Sequence, residues 1–350
     1  MKLQPPAFAL KKNSQGVLRF SNSGRLLAQV TSRVVVWDVP ARKELIAFKA
    51  ISNEHHVAFH EPTGRIMVKN SNGELAFCTL DSGHVVAATG KFTESRIGCA
   101  PWFSADGRWL LDGHHQGRLL LWDSATAALA HHWDLGARSI MDIAHHAASG
   151  RFAFVADLHF SGACSIGLLT HAAPDAVPEL RSPTDFGVDA SLWHEVDFLQ
   201  FSPDGTRLAI VVRPQERTPL PQLQVLDLAA STCLWSSPVG RGELGWVKSL
   251  AWSTGGRLLA VFQENSWRPG LSTQAHEALR AGRVEEWIEV FDAATGTHLE
   301  SHALPGASRV AAAPDGPAIA LNSAKVPGAC LAGPDDLARY ATAQRAKGAR

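Results

Sequence analysis

The sequence predicts an all-β protein made of seven copies of one four-stranded antiparallel unit, with a short helix at the C-terminal end. Three observations predict it. The first is a hairpin signature, clearest at Phe103-Ser104-Ala105-Asp106-Gly107-Arg108-Trp109-Leu110-Leu111. There an apolar run stops at Ser-x-Asp-Gly, the glycine supplies the positive φ of a tight turn, and a second apolar run begins. The second is recurrence: six more copies centre on Gly24, Gly64, Gly150, Gly205, Gly256 and Gly316. The third is spacing, 40 residues from Gly24 to Gly64 and 43 from Gly64 to Gly107, the period of a four-stranded propeller blade.

Each unit continues in the same order. After the hairpin and a polar loop, a third strand ends in a hydrophobe followed by Asp: Val34-Val35-Val36-Trp37-Asp38, Leu75 to Asp81, Leu119 to Asp123, Leu223 to Asp227 and Ile288 to Asp292. The Asp opens the next turn by accepting backbone amides two residues on. A fourth strand follows, as at Ala128 to Trp133 or His298 to His302. Ahead of the first unit, residues 6–10 (Pro6 to Leu10) read as the strand that completes the last blade beside Gly328 to Ala332, closing the ring and removing its open edges. Residues 1–332 then form one seven-bladed β-propeller. Residues 333–350 form a helix and tail, with Pro334 at the first turn and Asp335 and Asp336 at the positive dipole end.

Lysine plus arginine and aspartate plus glutamate both number 33, so the net charge is zero. This argues against a dedicated nucleic-acid binder, which would carry a basic excess. The 5 cysteines are odd in number and scattered without CxxC spacing, which predicts reduced thiols in a cytoplasmic protein. The beginning, MKLQPPAFALKKN, lacks the apolar core of a signal peptide, and no apolar run is long enough to span a membrane. A single tyrosine amid abundant alanine, glycine and arginine suggests a GC-rich bacterial source.

The stretches GRLLLWDSATAAL and FSPDGTRLAIV resemble the WD40-repeat family. The resemblance covers roughly Val17 to Ala332 and rests on the Trp37-Asp38 and Trp122-Asp123 pairs with the hairpin turns. It implies the fold, a seven-bladed propeller, and carries no function over from relatives. The Gly-His that usually precedes the inner strand is missing in almost every unit, so the family's His-Ser-Asp-Trp network is not expected here.

The resembled fold also implies that second-to-third-strand loops and loops leading into the inner strand emerge on one face. The extra residues all fall in such loops: Ala156 to Cys164, Arg213 to Gln222, Gln263 to Glu286 and His171 to Glu195. Long loops on a rigid scaffold usually carry binding. Within the longest, Ser272 to Ala281 has helix composition. The aromatic, Arg and His residues expected to contact a protein partner are Phe160, Trp193, His194, Arg217, Trp267, Arg268 and His276. The partner is a protein of unknown identity; an immunity-type inhibitor capping a toxin or enzyme is the variant of this reading.

The competing class is a propeller enzyme or small-molecule binder. Counting eight residues back from each turn glycine gives Gly16, His56, Cys99, Asp142, Asp197, Lys248 and Ser308 at the channel mouth. Of these His56, Asp142, Asp197 and Lys248 have the chemistry for acid–base work or ion pairing. No catalytic residue, metal site or cofactor is expected otherwise. The four His-His pairs sit mostly on strands, where neighbours point to opposite faces. Gly240 to Gly245 matches GxGxxG but leads into a strand instead of a helix.

Overall fold

The structure, a computed structural model, describes residues 8–10, 17–90, 99–158, 163–214, 220–240, 245–264, 285–304, 306–314, 316–323 and 328–348. It is an all-β seven-bladed propeller of seven four-stranded antiparallel sheets with one C-terminal helix. Blade 1 is Leu18–Phe20, Leu26–Val30, Val34–Asp38 and Lys43–Phe48; blade 2 is Glu54–His60, Arg65–Asn70, Leu75–Thr79 and Val85–Ala88. Blade 3 is Trp102–Phe103, Trp109–Gly113, Arg118–Asp123 and Leu129–Asp134; blade 4 is Ser139–His146, Arg151–Leu158, Ala163–Leu169 and Glu179–Arg181. Blade 5 is Glu195–Phe201, Arg207–Arg213, Gln222–Asp227 and Thr232–Pro238; blade 6 is Gly245–Trp252, Arg257–Glu264, Glu285–Asp292 and His298–Ala303. Blade 7 is Ala307–Ala312, Ile319–Ser323 and Gly328–Leu331, completed by Phe8–Leu10 from the other end of the chain, with Phe8 opposite Cys330 and Leu10 opposite Gly328.

Each inner strand packs on the next, and the inner strand of blade 7 packs on that of blade 1, so the ring is closed. The second strands are buried on both faces, which is why they read as near-continuous apolar runs such as Leu208 to Val212. The core is therefore seven wedges, one between each pair of blades. Phe20, Phe103, Phe201 and Trp252 end their inner strands in these wedges.

Wedge composition follows a rule that singles out two interfaces. Two residues, one from the second strand of each flanking blade, stand at the same level in six of the seven wedges. They are apolar at blades 1 and 2 (Val30, Val68), 4 and 5 (Val155, Ile210), 5 and 6 (Val211, Ala260) and 6 and 7 (Val261, Leu321). At blades 2 and 3 they are Lys69 and Asp112, a fully buried ion pair at 2.7 Å. At the closing wedge they are Asn322 and Gln29, whose amide groups hydrogen-bond at 3.1 Å in the buried interior.

The face bearing first-to-second and third-to-fourth turns is held by its own side chains. Ser104 Oγ donates to Asp106 Oδ1 at 2.5 Å, and Asp106 Oδ1 accepts Arg108 N; Ser202, Asp204 and Thr206 repeat the arrangement. Asp123, Asp227 and Asp292 each accept two amides of the following turn. These turns end on a left-handed residue, Gly83 in blade 2 and Gly296 in blade 6 but Arg42, Ala127 and Ser231 in blades 1, 3 and 5. Blades 2 and 4 hook onto their neighbours. His60 bonds Thr63 Oγ1 (2.7 Å) and Ala105 O (3.1 Å); His146 bonds Ser149 Oγ (2.8 Å) and Pro203 O (3.0 Å). Gly107 and Gly205 make room for those rings, since a Cβ at either would lie 2.3 Å from imidazole atoms. The C-terminal helix, Leu337–Gly348, docks Leu337 and Tyr340 into the wedge of blades 6 and 7. Among the described residues no helix is long and apolar enough to cross a membrane.

Candidate functional site

The loop face presents less than the sequence suggests at one place. The stretch His171 to Glu195 contains the fourth strand of blade 4, Glu179–Arg181, which pairs with Ile166 to Leu168. This strand is too short and too exposed to register as a periodic pattern, so only 182–194 connects to the next inner strand. That connection is folded inward. Ser182 and Asp185 form a capping box, and Phe186, Val188 and Trp193 fill the wedge of blades 4 and 5. Trp193 is fully buried and its indole N–H donates to Gln224 Oε1 at 2.8 Å. Its expected role as a partner contact is corrected: a ring that large supports the loop from beneath by apolar burial. His194 remains exposed at the surface. Phe160, Arg217, Trp267, Arg268, His276 and the Ser272 to Ala281 segment lie outside the described residues.

At the channel mouth the count from the turn glycines needs a one-residue correction in two blades. In blades 2 and 4 the turns His60 to Gly64 and His146 to Gly150 carry one extra residue. The glycine then stands five places past the last inner-strand anchor (Phe59 and His145) instead of four. The residues equivalent to Asp197 and Lys248 are therefore His55 and Met141, with His56 and Asp142 one step deeper. The inner strands bulge at this level: pairing skips His55, Met141 with Asp142, Asp197, Lys248 and Ser308. A bulge re-aims side chains and ends regular pairing, so the repeat itself builds a rim.

Asp197 is drawn away from the channel's charges by Arg213, at 2.6 Å, which also bonds Glu195 at 3.0 Å. The other three gather with residues the glycine count missed. Arg19 and Arg309 both act on Asp142, and Arg309 also acts on His55, His56 and Lys248. Arg19 of blade 1 lays its guanidinium 3.9 Å over the Trp102 ring of blade 3. Trp102 in turn donates to Ile143 O at 2.7 Å, Asp142 Oδ2 accepts Leu199 N at 3.3 Å, and Gln200 Oε1 accepts Trp252 N at 2.8 Å. Arg309 donates to Lys248 O, and Ser249 Oγ donates to Val310 O at 3.0 Å. These bonds stitch blades 3 to 7 together from inside. The signal for Arg19, Trp102 and Gln200 was their place: each immediately precedes the aromatic anchor of an inner strand, at a channel-facing position of the alternation.

The electrostatics are those of cations crowded out of water. Burial pulls Arg19 down to about 10, with Asp142 opposing the shift, and lowers Arg309. Lys248 is lowered by burial and then by Arg309, against Glu286. His56 falls well below the usual imidazole range through burial, then through Lys69, His55, Arg19 and Arg309. Asp142 rises to about 6 because its burial outweighs the amides of Leu199 and Ile143 and the charges of Arg19 and Arg309. Among the described residues no group of three His, Cys, Asp or Glu side chains is placed to hold a metal ion. Comparison with known proteins finds no family model that matches the chain and no curated protein similar to it.

Proposed function

We propose that this propeller is a non-catalytic, WD40-like platform that binds another protein through the face carrying its second-to-third and fourth-to-first loops. The observation that carries the reading is the asymmetry of the two faces. One is a ring of short turns, several of them braced from within by Ser104, Asp123, Ser202, Asp227 and Asp292. The other carries the bulged inner-strand ends and the long connections 214–221, 265–284 and 182–194. A rigid ring beneath those loops keeps the ordering cost of docking low, so few contacts suffice for affinity. The WD40-like assignment is supported by the Trp-Asp pairs at 37–38 and 122–123 and the turns that Asp38 and Asp123 cap.

The test replaces 265–284 by a short Gly-Ser turn and compares affinity capture with wild type and with a variant altered on the turn face, after circular dichroism shows all three folded. A partner lost only with the loop variant supports the platform. Equal capture by all three places docking elsewhere and refutes the reading.

A further inference from the structure

Blade 7 differs from the other six in how its outer strand is held. In blades 1 to 6 the fourth strand follows the third in the chain, whereas after Leu331 the chain leaves for the helix and Phe8–Leu10 arrives from the opposite end. Closure of the ring does not depend on this strand. Leu18, Phe20 and Leu27 of blade 1 meet Ala313, Ala320 and Cys330 of blade 7 in the closing wedge, and the inner strands of the two blades pack together. Gln29 Nε2 donates to Asn322 Oδ1 at 3.1 Å between the second strands. Phe8–Leu10 thus fills an outer slot on a ring closed inside it. The slot has a definite chemistry: Phe8 pairs with Cys330, Ala9 with Ala329 and Leu10 with Gly328, with no charge on either side. The Phe8 ring stacks on Trp37 of blade 1 at 5.2 Å. Leu10 is buried in a socket that Gly328 opens, since a Cβ at 328 would lie 3.2 Å from Leu10 Cβ, and Ala9 between them faces solvent. The resident strand leaves one demand unmet, for among the described residues nothing accepts the sealed Trp37 indole N–H. An edge held by three backbone pairs and two side chains opens locally at far lower cost than the ring unfolds.

We propose that blade 7 is a strand-exchange site. Phe8–Leu10 is its resident, and the slot takes an extended segment of another protein that carries an aromatic and an aliphatic side chain two residues apart. Backbone pairing along the edge of Gly328–Leu331 supplies affinity, and the two alternate side chains, one on Trp37 and one in the Gly328 socket, supply selectivity. A second copy of this chain is the poorer occupant, because lending its strand empties its own slot and the pairs gained equal the pairs lost. The slot lies on the outer rim and is independent of the loop-face platform.

The test is fluorescence anisotropy of a labelled peptide with the sequence of residues 4–13, QPPAFALKKN, titrated with the full chain. Leu10→Ser weakens the resident strand and is expected to remain folded by circular dichroism. It is expected to bind the peptide about tenfold or more tightly than wild type does, because the vacant fraction of the slot rises. A control peptide with Ser in place of both Phe and Leu is expected not to bind. In wild type, the amides that pair Phe8–Leu10 with 328–330 are expected to exchange hydrogen far faster than those between Ile319–Ser323 and Gly328–Leu331. Equal exchange at the two edges, equal affinity of wild type and Leu10→Ser, or equal binding of the two peptides overturns the proposal. So does a Leu10→Ser chain that fails to fold, since the ring would then depend on the strand. A concentration-dependent wild-type dimer that Leu10→Ser abolishes makes a second copy the occupant and overturns the choice of a foreign segment.

Discussion

The Lys69–Asp112 pair is where a single atom group most sharply tests the account of the ring. Lys69 Nζ donates to both Asp112 oxygens, at 2.7 and 2.9 Å, and the side chains are 0% and 1% exposed. Replacing Lys69 by Val strips the carboxylate of these donors and leaves it only the Gly113 amide at 2.9 Å. An orphaned buried charge costs about 3–5 kcal/mol, and burial already pushes the Asp112 carboxyl upward despite the lysine. Asp112→Val strands the ammonium at similar cost. The double variant Lys69→Val, Asp112→Val gives this level the Val30 and Val68 composition of the neighbouring wedge with nearly the same combined volume. It is expected within about 1 kcal/mol of wild type, or above it, because the desolvation of two ions is no longer needed. Urea unfolding followed by tryptophan fluorescence at pH 7 gives the three differences. A loss below about 1 kcal/mol for either single variant would show water reaching the pair and would refute the description of a dry wedge.

Three other outcomes follow from the same geometry. Ala127 and Ser231 hold positive φ of 57° and 52° at turns where Gly296 serves blade 6; Ala127→Gly and Ser231→Gly should be neutral or stabilising by up to about 1 kcal/mol in urea unfolding, and a clear loss at both would mean the turns are unstrained. Asp142 has a folded pKa raised from 3.8 to about 6, so its contribution to stability is full below the unfolded value and is lost as pH rises from about 4 through 6. The advantage of Asp142→Asn over wild type should accordingly grow across that window and then level off, and a pH-independent difference would contradict it. Finally, Gln29→Val with Asn322→Val should keep thermal stability close to wild type yet raise the fraction of swapped dimers on refolding. The closing wedge then has no polar lock, and Phe8–Leu10 can complete another copy's blade; a purely monomeric refolded product counts against this.

Most of the architecture was legible because a propeller repeats local chemistry. Ser-x-Asp-Gly turns, hydrophobe-Asp strand ends and aromatic anchors such as Phe103 and Phe201 are contiguous in sequence and need no tertiary knowledge. What failed was register. One extra residue in the His60 to Gly64 and His146 to Gly150 turns moved His56 and Asp142 a level deeper than counting placed them. The histidines that hook blades 2 and 4 onto Ala105 and Pro203 are the reason those turns are longer. Trp193 was misplaced because residue type alone does not separate an aromatic that meets a partner from one that roofs its own loop. Arg19 and Arg309 escaped notice since their significance comes from acting on one residue, Asp142 of blade 4, from blades 1 and 7, at opposite ends of the chain.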